Sequence, residues 1–142
     1  MSRHLLDVNV ILALIDPAHI HHERAHRWFV DRAKDGWDSC PITENGVLRV
    51  MSNPGYPNSQ PMSTILASMA SLFEVGVHRF VPDSISLFDD LVDSSRLLSS
   101  GQVTDSYLLA LAVHHGSKVA TFDTKIVTEP VAGGSSALTL IP

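Results

Sequence analysis

Arg3-His4-Leu5-Leu6-Asp7-Val8-Asn9-Val10-Ile11-Leu12-Ala13-Leu14-Ile15-Asp16-Pro17 is the stretch on which the reading of the fold turns. Arg3 to Leu6 has the short apolar character of a buried strand. Val8 to Ile15 is apolar almost all round, which predicts a helix covered on most of its surface. Asp7 marks the handover from strand to helix. Asp16-Pro17 stops the helix, because proline disfavours helical backbone in the residue before it.

Three further acids occupy comparable places. Glu44 follows Cys40-Pro41-Ile42-Thr43, Asp105 follows Gln102-Val103-Thr104, and Asp123 follows Lys118-Val119-Ala120-Thr121-Phe122. In an open α/β sheet such junctions gather along one edge, where ligands bind. Carboxylates gathered there repel one another unless a cation neutralises them, so the spacing points to a magnesium or manganese site. Each acid taken singly is more readily a helix cap or first-turn residue, and Glu44 has the weakest individual case. The weight comes from four at corresponding junctions.

The remaining chain supplies the frame. His22 to Lys34 predicts a second helix, with Ala25, Trp28, Phe29 and Arg32-Ala33 at helical spacing. Trp37 to Ile42 predicts a second strand, and Thr43 an N-cap for the helix carrying Glu44, Val47, Leu48 and Met51. Asn53 to Asn58 is a loop, Met62 to Phe73 an amphipathic helix, and His78 to Val81 a third strand. Ile85 to Leu98 is expected to be helical with an acidic face. Thr104 to His115 is expected to be a helix capped by Thr104 and stopped by Gly116. Val119 to Phe122 and Ala137 to Ile141 complete the strands. This alternation implies a parallel sheet covered on both faces. The expectation is a three-layer α/β/α fold with about five strands, one domain over residues 1–142, and no internal repeat or linker.

Composition narrows the function. The 142 residues are 44% hydrophobic and 18% charged, which suits a folded domain. No apolar stretch approaches the ~20 residues of a membrane span. Met1-Ser2-Arg3-His4 runs straight into the first strand and leaves no room for a signal peptide. A single cysteine, Cys40, excludes an intrachain disulfide and fits a reducing, cytoplasmic setting. It reads as a packed core thiol. A formal charge of -5 argues against a broadly basic nucleic-acid binder. Contact with RNA or DNA would then be local and metal-assisted, because bound divalent ions reverse the local sign.

The acids sit where helix N-termini favour the ionised form, so they are expected to be charged and aimed outward. Hard cations choose oxygen ligands, and Mg²⁺ keeps several waters while taking one or two carboxylates directly. Paired ions about 3.5–4 Å apart can activate water and stabilise the leaving oxygen in phosphodiester hydrolysis. Asn9 either orients a metal-bound water or serves the helix start. Thr121 points to the same sheet face as Asp123 and can hydrogen-bond a carboxylate. Thr104 reads first as a cap and Ser106 as a helix-start residue. His19, His21, His22 and His26 cluster, and His22 and His26 share the four-residue spacing known from zinc sites. The surrounding His-Glu-x-x-His pattern is absent, so a polar helix entrance is the plainer reading. His114 and His115 suit a helix C-terminus. No P-loop and no Gly-x-Ser-x-Gly elbow is present. Two other functions stay open: a phosphatase or phosphotransferase with Asp7 as nucleophile, and a non-catalytic binding module.

Leu5-Leu6-Asp7-Val8-Asn9-Val10, Ile42-Thr43-Glu44, Val103-Thr104-Asp105 and Ala120-Thr121-Phe122-Asp123 come in an order that resembles the PIN-domain family. The resemblance is closest to the VapC-like toxins of bacterial toxin–antitoxin pairs, and it runs nearly end to end. It implies a Mg²⁺- or Mn²⁺-dependent endoribonuclease in which Asp7, Glu44, Asp105 and Asp123 are metal-binding acids. Asn9 and Thr121 match the polar positions that support them. It also implies a homodimer, and a small VapB-like antitoxin whose C-terminal segment blocks the site. The Asn53 to Pro61 loop and the following helix either supply an apolar surface for that partner or pack within the monomer. The family's phenylalanine shortly after the last acid is missing: Thr124-Lys125-Ile126 stands there.

Overall fold

A computed structural model describes residues 2–142. The elements run β1 (Arg3–Leu6), α1 (Val8–Ile15), α2 (His22–Arg32), β2 (Trp37–Ser39), α3 (Pro41–Ser52), α4 (Met62–Phe73), β3 (His78–Phe80), α5 (Val103–His115), β4 (Ser117–Thr121) and β5 (Leu138–Leu140). The five strands form one sheet in the order β3-β2-β1-β4-β5, every pairing parallel. Side-chain alternation gives each face its own core. Leu6, Trp37 and Ala120 enter the core shared with α1, α2, α3 and α4. Leu5, Cys40 and Val119 enter the core shared with α5. The three expected layers and the parallel sheet are therefore present.

Both helices that leave the central edge are set locally. Asp7 caps α1 by accepting from the Val8 N–H, and Asp16 closes its far end. Val10 to Leu14 are all buried, as the unbroken apolar run predicts. Gly46 lets α3 cross α1 closely: a Cβ there would stand 2.7 Å from Val8 Cγ2. At the other end of the chain Gly116, with φ of 72°, terminates α5 in the left-handed conformation.

Several expectations need correction. Strand β2 stops at Ser39, not Ile42, and α3 begins with Pro41 at its first position. The cap residue is therefore Cys40. Thr43 lies three residues on, accepting from the Cys40 N–H at 3.1 Å. Thr104 is likewise inside α5, whose cap position is Gln102. The segment from Ile85 to Leu98 is not a helix: it holds turns, an isolated bridge from Val92 to Val131, and one 3-10 turn at Ser94–Arg96. Its serines and aspartates explain why. Ser86, Asp89 and Asp93 accept from the backbone N–H groups of Phe88, Ser86 and Ser95. Those local bonds compete with the helical ladder. The β4–β5 crossover also lacks a helix and runs through turns, so strands and helices do not alternate throughout.

One buried ion cluster organises the sheet's other half. Asp38, fully buried on β2, pairs with Arg79 at 2.7 Å and Arg3 at 3.0 Å. It ties β1, β2 and β3 together.

Candidate active site

The centre of the site is a hydroxyl. Thr121, fully buried at the end of β4, donates from Oγ1 to Asp7 Oδ2 at 2.8 Å. The same oxygen accepts from Asn9 Nδ2 and from the Asp123 N–H, each at 3.1 Å. One donor and two acceptor positions are thus all used, and the hydroxyl is saturated. Asn9 completes the ring by accepting from the Phe122 N–H at 3.3 Å. That second bond fixes which end of the amide faces Thr121. Asp7 Oδ1 accepts from the Val8 N–H at 2.8 Å, and Asp123 Oδ1 from the Lys125 N–H at 2.8 Å.

Asp105 reaches the same place from the first turn of α5. Burial raises its carboxyl from the ordinary 3.8 to about 6, and the charges of Asp7 and Asp123 add to the rise. The Asp7 carboxyl is also raised, first by burial and then by the Asp123 charge, against the hydrogen bonds from Thr121 and Val8. This corrects the expectation that helix N-termini hold these groups charged. For Asp7 and Asp105, burial and mutual repulsion outweigh the helix ends. Asp123 begins no helix at all; it follows a bend at Phe122, just beyond β4.

Glu44 is placed differently. It lies in the first turn of α3, and its Oε2 accepts from Ser39 Oγ. Ser39 Oγ also meets His78 Nε2 at 2.8 Å. The aspartates act electrically on one another, whereas the group on which Glu44 acts is the His78 imidazole. The structure thus draws Asp7, Asp105 and Asp123 together around Thr121 and Asn9, and holds Glu44 at the flank.

The donor set suits a hard divalent cation: all oxygen, and under a repulsion that two positive charges would relieve. Among the described residues no three His, Cys, Asp or Glu side chains are grouped so that all three could hold one ion directly. An ion that keeps most of its waters needs none.

The surroundings hold features the sequence did not disclose. A cavity of about 550 Å³ opens beside Asp105, lined also by Arg96, Leu98, Gln102, Lys125 and Val127. On the far side, the Phe122 ring stacks on His21 at 4.6 Å, with the Arg24 guanidinium 5.0 Å from its centre. Ser106, expected only to start a helix, is fully buried on α5, and its Oγ has no hydrogen-bond partner among the described residues. The paired histidines each turn one ring nitrogen to a backbone carbonyl. His22 Nδ1 lies 2.7 Å from the Ala13 carbonyl and His26 Nε2 2.9 Å from that of Leu14. A carbonyl only accepts, so both rings donate and close the open end of α1. Cys40 is a buried thiol whose pKa burial pushes up, as a core role requires.

A profile of the PIN domain matches residues 4–128. Ribonuclease VapC44 of Mycobacterium tuberculosis is 44% identical over 134 residues, covering 94% of each chain. Ribonuclease VapC38 of the same organism is 42% identical over 125 residues, 87% of each chain. Ribonuclease VapC39 is 37% identical over 131 residues, 91% of this chain and 94% of that one.

Proposed function

The chain belongs to the PIN-domain family, and from that premise we propose how it works as a ribonuclease toxin of the VapC type. It cuts RNA internally at phosphodiester bonds. The observation that carries the site assignment is that the saturated Thr121 hydroxyl joins Asp7 to the Asp123 backbone, and that Asp105 feels the charges of both acids.

In this reading Asp7, Asp105 and Asp123 hold Mg²⁺ or Mn²⁺. The ion, when bound, makes a water nucleophilic and stabilises the leaving oxygen. Thr121 and Asn9 keep Asp7 and Asp123 at a fixed separation. Glu44, in the first turn of α3 at the same sheet edge, orients the attacking water. No side chain forms a covalent intermediate. The phosphotransferase reading has less support, because both Asp7 oxygens are already engaged.

The cavity beside Asp105 is of a size that ligands occupy. Its cations, Arg96 and Lys125, suit RNA phosphates flanking the cut, while Leu98 and Val127 offer an apolar surface to a base. Set against Asp105 and Glu129 in the same lining, these two cations give RNA phosphates a local foothold on an acidic chain. No helix among the described residues is long and apolar enough to cross a membrane. A cytoplasmic setting, a homodimer and a small VapB-like antitoxin over the site complete the proposal.

The direct test is incubation of purified protein with RNA and Mn²⁺, with EDTA as control. Metal-dependent internal cleavage that disappears in Asp123→Asn supports the reading. Cleavage that persists in EDTA overturns it.

A further inference from the structure

Glu44 is gripped by a relay that runs in one direction. Ser39 Oγ stands between Glu44 Oε2 and His78 Nε2. A carboxylate can only accept, so the single Ser39 hydrogen goes to Glu44. The Ser39 oxygen is then free to accept, and the hydrogen between it and the imidazole must sit on His78 Nε2. The order is His78 Nε2–H to Ser39 Oγ–H to Glu44. Bonds chained in this way polarise and strengthen one another.

The donor ring is itself fixed. His78 lies flat on Phe73, with centroids 4.4 Å apart and planes 10° apart. Trp37 packs on it at 4.4 Å, and the Trp37 indole donates to the Val75 carbonyl at 2.8 Å. His78 and Trp37 are also register partners on neighbouring strands. Turning the ring would break this aromatic packing. Burial lowers the His78 pKa, which keeps the ring neutral.

Position gives the relay its consequence. Ser39 shares its sheet face with Trp37, in the core of α1 to α4. Thr121 shares its face with Val119, in the core of α5. Glu44 is therefore anchored from the face opposite the one that anchors the aspartates, at the edge where β1, β2 and β4 all end. A glutamate has a long side chain with many rotamers, and here one of its oxygens is pinned while the other stays free.

We propose that Ser39 and His78 are positioning residues for Glu44: they fix the carboxylate in the first turn of α3, at the sheet edge where β1, β2 and β4 end. The proposal rests on the nuclease reading for its effect on rate, but not for its hydrogen-bond order. Four proteins decide it: wild type, His78→Phe, Glu44→Gln and the double variant. His78→Phe keeps a flat ring between Phe73 and Trp37 and removes only the N–H. With Mn²⁺ and a short fluorogenic RNA carrying a site that the wild type cuts, His78→Phe should lower kcat about tenfold with KM unchanged, a loss typical of a supporting partner. Its melting temperature should match the wild type. In the Glu44→Gln background the same change should cost nothing further. A kcat for His78→Phe equal to wild type, or a full additional loss in the double variant, overturns the proposal.

Nitrogen-15 NMR of the metal-free protein supplies a readout independent of cleavage. His78 should be neutral with its proton on Nε2, and Ser39→Ala should shift that signal. A proton on Nδ1, or no response to Ser39→Ala, overturns the relay. A wild type that cuts no RNA but shows the Nε2 proton would refute the nuclease reading and leave the relay standing.

Discussion

Asp105→Asn should stabilise the metal-free protein while destroying its use of metal. The carboxyl is raised from 3.8 to about 6, so its ionised form is disfavoured in the folded state. That difference corresponds to about 3 kcal/mol in full. Asp105 is only partly buried, so solvent screening reduces it to ~1–2 kcal/mol. The sign follows from proton binding. Between pH 3.8 and about 6 the folded chain holds the proton more tightly than the unfolded one. Stability is therefore lost as pH rises through that window, and the penalty is complete above it. The carboxylate has no hydrogen bond among the described residues, so asparagine removes the charge and breaks nothing. At pH 7.5 in EDTA the variant should melt roughly 3–6 °C above wild type. At pH 3.5 the two should coincide. Each comparison must be made at one pH, because His4 pulls the other way. Burial, then Arg32 and Lys118, lowers the His4 pKa to about 4, which removes stability as pH falls below 6.5. Mn²⁺ at a hundred times its Kd should raise the wild type by about 2.7 kcal/mol and the variant by far less. Circular dichroism melts measure all of this. A variant that is less stable than wild type at pH 7.5, or whose difference does not depend on pH, refutes the claim that burial and the neighbouring acids disfavour an ionised Asp105.

Other outcomes follow from the same geometry. Thr121→Val keeps the shape but strips the shared acceptor from Asn9 and the Asp123 N–H; urea unfolding should show a loss of about 1–3 kcal/mol, and cleavage should fall with it. Tyr56→Phe removes a 2.6 Å bond to buried Asp16, where burial pushes the carboxyl up but donors from Tyr56, Asn58 and Ala18 hold it below the usual range. A loss of about 1.5–3 kcal/mol in stability, with kcat untouched, is expected, since Asp16 lies at the far end of α1. Arg96→Ala with Lys125→Ala should raise KM without lowering kcat. The salt dependence of RNA binding should become shallower by about 0.7 in log–log slope for each phosphate that these cations no longer neutralise.

Much of this architecture can be read from local patterns. β1 and α1 have the predicted bounds because one apolar run, one aspartate and one Asp-Pro mark them. α4 also has its predicted bounds, since its stripe of Ile65, Met69 and Leu72 is what it buries. The helix expected from Ile85 to Leu98 does not form, because its serines and aspartates outcompete its apolar spacing. The start of α3 is set by Pro41 and not by Thr43, and proline at a first helical position is itself a start signal. At the site, Asp7, Asn9, Thr121 and Asp123 announce themselves through two short motifs that the β1–β4 pairing brings together. What local reading cannot supply is long-range. His78 lies 39 residues from Ser39, and Arg79 lies 41 from Asp38. Only the β2–β3 register joins them. The His22–His26 spacing is visible in the sequence, yet its partners are the carbonyls ending α1.

The most direct test is to sequence the RNA ends produced by wild-type and Asp7→Asn protein in Mn²⁺. New internal ends from the wild type alone are the predicted result. The same ends, at the same yield, from folded Asp7→Asn protein would contradict the account.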